Sequence, residues 1–432
     1  MASKSQRKLA FGLATALVMA ACTSGQGGSG QTTTSTDGTA TTVDGDVVSP
    51  TSTTQVQATK LVVWVDEARA PVVETAAERF EMAYGTIVEV EVMPFRDIRG
   101  AVMSAVPAGE GPDLFIDSNE GTGALAEASI IAPLNLEGRE AEFLSVAVDA
   151  FSYGGDVYAV PFVTEAVGLF YNKDLVPVPP ADFEALRAIC DDLGFPTEAG
   201  VPCLTIPVGE PLHQFPFIAG FGGYVFGFEN GAYDVADVGL DSSGAIEGAT
   251  FLSRLYQDGY ADGEVDYSVM ADLFNQGAVP FMWTGPWQVE AVDAAGINYG
   301  VAKLPLMNGN PPRPFVGVQG FFLNSFSENT ASVETFLLDF IATTETMVQL
   351  SEVTNRPPAL RSALDEVAGD PNGVIFAESG IDGLPLPNIP ELAAAWEALA
   401  AALAVLSQGS DDPAAVMARA AQSVRSAVGA GS

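Results

Sequence analysis

Two tryptophans of this chain stand beside backbone breaks. Trp287 follows Gly285-Pro286 in FMWTGPWQVEAV (residues 281–292), and Trp396 follows the turn in PLPNIPELAAAW (385–396). A Gly-Pro break ends a strand and opens a loop, and loops carry much of a protein's binding chemistry. An indole placed there can act as a platform, because the C–H faces of sugar rings stack on it while carboxylates, guanidinium groups and phenols bond to hydroxyls. Glu210, before Pro211, and Tyr267, after Asp266, also lie beside turns. The competing role for any single tryptophan is packing. Trp64, inside the apolar run LVVWV (61–65), reads as core, and Trp283, before the break, as core or cleft-edge packing.

Most catalytic chemistries lack their parts. Ser-His-Asp or Cys-His catalysis needs a histidine base, and His213 is the only histidine. The same count excludes a zinc site built on several histidines, and the cysteines lack CxxC spacing. No Walker A sequence occurs, so the chain is not expected to hydrolyse ATP. GQGGSG (Gly25–Gly30) matches a dinucleotide-binding pattern but follows an export signal rather than a core strand, and it is discarded. Glycoside hydrolysis needs only two carboxylates, which 55 acidic residues do not exclude. No cofactor and no metal is expected.

The elements that must position these residues are legible in part. Leu61–Val65 has the continuous apolar character of a strand buried on both faces. Pro71–Tyr84 reads as a helix with Val72, Ala76 and Phe80 along one stripe, ended by Gly85. An alternating strand, Thr86–Met93, follows, and after another helical stretch comes Leu114–Ile116. This alternation is the mark of an α/β sheet. Residues 391–428 are Ala-rich and helical, broken near 409–413. Cys190 and Cys203 are close enough to pair in an oxidising compartment, the other reading being two buried thiols.

Composition bounds the setting. The 432 residues carry a formal charge of −37, from 55 acidic and 18 basic side chains, and 48% of them are hydrophobic. That content suffices for a large core, and two or three domain-sized units are expected. The charge repels phosphate backbones and no basic stripe occurs, which argues against nucleic acid. A solvated acidic surface is the plain reading; cation binding or life at high salt is the alternative.

The first residues read as an export signal, 1–21. Lys4, Arg7 and Lys8 precede the uncharged LAFGLATALVMAA, and Ala20-Ala21 lead into Cys22. A cysteine directly after a small pair resembles the bacterial lipobox, in which it becomes the lipidated first residue of an outer-leaflet lipoprotein; an ordinary secretion signal is the alternative. From Cys22 to residue 59 the chain is rich in Thr, Gly and Ser, without aromatics, as in a disordered tether. Its typical reach is about 30–35 Å.

Longer stretches carry a family likeness. They include GPDLF (111–115), PFVTEAVGLFYNKDLVPVPP (161–180), EPLHQFPFIAGFGGY (210–224), FENGAYDVADVGLD (228–241), DYSVMADLFNQG (266–277), TGPWQ (284–288), INYGVAKLP (297–305), PFVGV (314–318) and LPNIPELAAAW (386–396). In this order they resemble the maltose/maltodextrin-binding proteins, extracellular solute-binding proteins of family 1, from about Lys60 to the C-terminus.

The resemblance implies an α/β fold of the type II periplasmic-binding-protein kind, two lobes with hinge crossovers and a ligand cleft between them. The N-lobe would span 58–164 plus 317–365, and the C-lobe 165–316 plus 366–432. Lobe closure on an oligosaccharide would present the protein to the membrane subunits of an ABC permease. It would be a monomer held to the cell membrane by its lipid and would make or break no bond. Cyclodextrins, trehalose and other α-glucosides stay open as ligands, and a secreted hydrolase or a sugar-sensing lipoprotein are the competing classes.

Residue by residue, the resemblance places Trp287 and Trp396 as stacking platforms, Glu210 and Glu165 as hydroxyl-binding carboxylates, and Tyr267 as a cleft-lining tyrosine. Arg69 takes the place of a basic N-lobe residue, Asp66 lies near a polar contact, and Glu120 matches an acidic ligand residue. The chain departs from the pattern in four places. Leu212 and His213 replace an aromatic pair, Asp117 an N-lobe tryptophan and Gly121 an arginine, while Arg99 stands near an expected acidic residue.

Overall fold

The computed structural model describes residues 60–229, 232–381 and 383–431. The expected signal peptide, Cys22 and the tether lie outside the described residues.

Two sheets organise these residues. The first runs in the order Leu384–Pro385, Phe315–Asn324, Leu114–Ser118, Lys60–Val65, Ile87–Val92, with Ile131–Ala132 and Ala159–Glu165 also paired to Phe315–Asn324. Lys60–Val65 lies parallel to both Ile87–Val92 and Leu114–Ser118. The carboxyl ends of these strands therefore share one edge, the place where open α/β sheets bind ligands. Lys60–Val65 is the inner strand and is mostly buried. Ile87–Val92 sits at the sheet's end, which accounts for its alternating Glu89 and Glu91. Glu91 accepts a hydrogen bond from Trp64 Nε1 at 2.7 Å, so the core tryptophan keeps its polar atom satisfied.

The second sheet runs Tyr299–Ala302, Gly168–Asn172, Phe281–Thr284, Leu204–Thr205. A two-stranded hairpin, Phe226–Glu229 with Ala232–Val238, stands apart from it. The helices Leu392–Ser407 and Pro413–Gly431 pack on each other and on Ser243–Gln257. A disulfide joins Cys190, in the helix Phe183–Asp192, to Cys203 before Leu204–Thr205.

Each sheet has its own apolar core. Side chains from Leu61 to Val163 and from Val316 to Ala363 form the first. Those from Val167 to Phe315 and from Leu386 to Val424 form the second, with a satellite around Phe170, Phe274 and Phe376. Phe315–Asn324 belongs to both: Phe315 packs in the second core and Val316 in the first. The chain also passes between the cores just after Ala159–Glu165 and again before Leu386. This is a two-lobe α/β architecture with several crossovers, as the resemblance implies.

Candidate functional site

Trp287 is placed by a strand that stops. Phe281–Thr284 is wholly buried, and Trp283 within it is fully enclosed, its Nε1 donating to the His213 carbonyl at 2.8 Å. Gly285 and Pro286 then turn the chain into a short 3-10 segment, Pro286–Gln288, which carries Trp287 half-buried on the second core. Tyr267 opens the helix Tyr267–Asn275, capped by Asp266 Oδ1 accepting from the Val269 amide at 2.8 Å. Tyr267 is 38% exposed, and its phenol accepts from Gln288 Nε2 at 2.7 Å.

His213 lies beneath both rings. Its imidazole centroid is 5.8 Å from that of Tyr267 and 5.8 Å from that of Trp287, edge-on in each case. Burial pushes its pKa down to about 3, so the ring is neutral, and Nδ1 has no hydrogen-bond partner among the described residues. Glu210, at the head of the helix Pro211–Ala219 that carries His213, is accessible, yet partial burial raises its carboxyl above the usual range. Burial also raises the Tyr267 phenol; hydrogen bonds from Gln288 and Trp287 oppose it, and Glu210 and Arg356 add smaller effects of opposite sign.

A second group lies at the edge of the first sheet. Asp66 follows Lys60–Val65 and accepts from the Arg69 backbone amide at 3.1 Å. The Arg69 guanidinium bonds to the Asp66 carboxylate and the Gln319 amide oxygen. It is buried near the rings of Phe95 and Phe162, 5.1 and 5.4 Å from their centroids. Burial lowers its pKa to about 10, while Asp66 works in the opposite direction. Glu165 ends the strand Ala159–Glu165, pairs with Arg356, and accepts from Gln319 Nε2 at 3.4 Å. Both terminal nitrogens of Arg69 are thus bonded to protein partners and its buried Nε to none among the described residues, while Asp66 and Glu165 are only partly buried.

The third group surrounds Trp396. Asp117 and Ser118 end the strand Leu114–Ser118, and Glu120 sits in the turn that follows. Arg99, from the helix Phe95–Ala105, donates to Asp117 through Nε at 2.6 Å and Nη2 at 2.9 Å, to Ser118 Oγ at 2.8 Å, and to Glu120 Oε1 at 3.1 Å. Burial alone would lower this guanidinium; Asp117 and Glu120 outweigh burial and raise it. Asn119 Nδ2 donates to the Leu386 carbonyl and the Gly123 amide to the Asn388 carbonyl, both at 2.8 Å. These bonds hold the turn against the segment that leads into the helix Leu392–Ser407. Trp396, half-buried on that helix, shares a cavity of about 510 Å³ with Arg99, Glu120 and Gly121.

The predicted residues therefore fall into three neighbouring sets. Trp287, Tyr267 and Glu210 lie together; Asp66, Arg69 and Glu165 form one polar network; Glu120 accompanies Trp396. Sequence reasoning missed Gln319 and Arg356, which reach these sets from distant segments, and Gln288, which follows Trp287 in the same turn. A larger cavity of about 760 Å³, beside the hairpin, is lined by none of the predicted residues. Among the described residues there is no group of His, Cys, Asp and Glu that could hold a metal ion, and no helix is long and apolar enough to cross a membrane.

Two lobes, several crossovers, and partly exposed aromatics beside polar groups define a solute-binding protein of the cleft type. The chain belongs to the bacterial extracellular solute-binding proteins, whose family model matches residues 75–375. It is 28% identical over 379 residues to a galactooligosaccharide-binding protein of Bacillus subtilis (strain 168), covering 85% of this chain and 89% of the relative. It is 30% identical over 352 residues to a maltotriose-binding protein of Pyrococcus abyssi, covering 78% and 75%. It is 27% identical over 348 residues to a maltooligosaccharide ABC transporter solute-binding lipoprotein of Streptococcus pneumoniae (strain ATCC BAA-255 / R6), covering 78% and 81%.

Proposed function

We propose that this protein is the capture component of an ABC sugar importer and takes maltodextrin-type oligosaccharides into the cleft between its lobes. The observation that carries the reading is the contrast between two tryptophans four residues apart. Trp283 is enclosed, whereas Trp287 stays half-exposed beside Tyr267 and Glu210. Accessible aromatic faces next to carboxylates suit a sugar's two kinds of surface. The lobes would comprise 58–164 plus 317–365 and 165–316 plus 366–432.

In this reading the protein acts as a monomer outside the cell, held to the membrane through Cys22, and hands its sugar to the permease subunits without cleaving it. Trp287, Trp396, Tyr267, Glu210, Glu165, Asp66 and Glu120 touch the ligand, and Arg69 sets Asp66 and Gln319 in place. Two of the relatives bind maltotriose or maltooligosaccharides by name, which supports the maltodextrin class. The likeness to a galactooligosaccharide-binding protein brings a second sugar class into the test.

The test is a thermal-shift screen with maltose, maltotriose, longer maltodextrins, cyclodextrins, trehalose and galactooligosaccharides. A ligand at 100 times its dissociation constant adds about 2.7 kcal/mol of stability. A shift with maltotriose or longer maltodextrins is expected; a shift with another class alone would refute the assignment. Product formation from maltodextrins would refute the binding-only reading.

A further inference from the structure

Three of the four departures from the family pattern form one physical unit. Asp117 could not replace a stacking tryptophan by stacking; its carboxylate is buried and gripped on both oxygens by Arg99. Gly121 is small because Arg99 occupies the space beside it: a Cβ there would stand 2.8 Å from Arg99 Nε and 2.9 Å from Asp117 Oδ2. The guanidinium is consequently fixed, and a fixed donor loses little conformational entropy when a ligand arrives.

The unit has unspent bonding capacity. Nε and Nη2 of Arg99 face Asp117 and Ser118, and one Nη1 hydrogen goes to Glu120 Oε1. A guanidinium carries five N–H donors, so a second Nη1 hydrogen is left over among the described residues. Glu120, whose side chain is 40% exposed, keeps its other carboxylate oxygen. Both side chains line the same 510 Å³ cavity as the Trp396 indole. A donor and an acceptor held side by side next to an aromatic face match two neighbouring hydroxyls at the edge of a sugar ring.

We propose that Arg99 and Glu120 form a hydroxyl-reading edge for the sugar ring that lies on Trp396. Glu120 accepts from one hydroxyl, Arg99 Nη1 donates to its neighbour, and Asp117 and Gly121 serve as positioning residues. Polar readout here takes over from a missing stacking platform. This subsite selects rings whose adjacent hydroxyls are both free, and it rests on the sugar-binding reading above.

The experiment is isothermal titration of the full chain and its Glu120→Gln, Gly121→Ala and doubly substituted variants with maltotriose, or with whichever saccharide the screen shows to bind. Gly121 has ordinary helical backbone angles, so alanine displaces Arg99 without removing a charge or straining the turn. Each single variant should bind about fivefold or more weakly, the value of one hydrogen bond, with little change in melting temperature. The double variant should lose less than the product of the two single losses, because both act on one hydroxyl pair. Unchanged affinity in both single variants would overturn the subsite while leaving sugar binding intact. A wild-type protein that binds no saccharide at all would overturn both.

Discussion

The six-membered ring of Trp287 lies over the α-carbon of Gly285: a Cβ placed on Gly285 would overlap the indole's Cη2 and Cζ3 atoms. The glycine before Pro286 is therefore part of the platform, as well as the end of a strand. Its backbone is extended, so alanine there is not strained by its own conformation, and the nearest atoms it meets are those of the ring. Gly285→Ala should push the indole aside and weaken oligosaccharide binding by about tenfold, or 1.4 kcal/mol. Titration calorimetry checks this, and the melting temperature should move by no more than a few degrees.

Trp283 should behave in the opposite way. It is fully enclosed, stacks on Phe217 with centroids 4.7 Å apart, and bonds through Nε1 to the His213 carbonyl. Trp283→Ala should destabilise the fold by about 3–5 kcal/mol, as for other large core truncations. Chemical denaturation measures this loss directly.

His213 provides a pH test. Its folded pKa of about 3 lies below the unfolded value of about 6.5. Between these values the unfolded chain binds a proton that the native ring refuses. The contribution is complete above about pH 6.5 and is lost as the pH falls towards 3. At pH 5 it costs about 2 kcal/mol relative to pH 7. In denaturation curves at both pH values, His213→Gln should lack this component, so its stability should change less favourably for neutral pH than that of wild type.

The fold was legible where periodicity and breaks speak locally. Leu61–Val65, the helix after Arg69 and the split of the Ala-rich C-terminal segment occur as expected. The family motifs revealed the two-lobe class. Pairing was less accessible, because Phe315–Asn324 joins segments separated by more than a hundred residues and no local pattern announces it. The same distance hid Gln319 and Arg356 from the site. Asp117 and Gly121 looked like losses when taken one at a time; only the position of Arg99, on a neighbouring helix, explains them together.

The most direct test of the central claim is a calorimetric titration of maltotriose into wild type and Trp287→Ala. Removing this half-buried platform should raise the dissociation constant at least tenfold, about 1.4 kcal/mol, while the melting temperature of the free protein stays close to that of wild type. Equal affinity in the two proteins, coupled to a large fall in melting temperature, would show that Trp287 belongs to the core and would contradict the account.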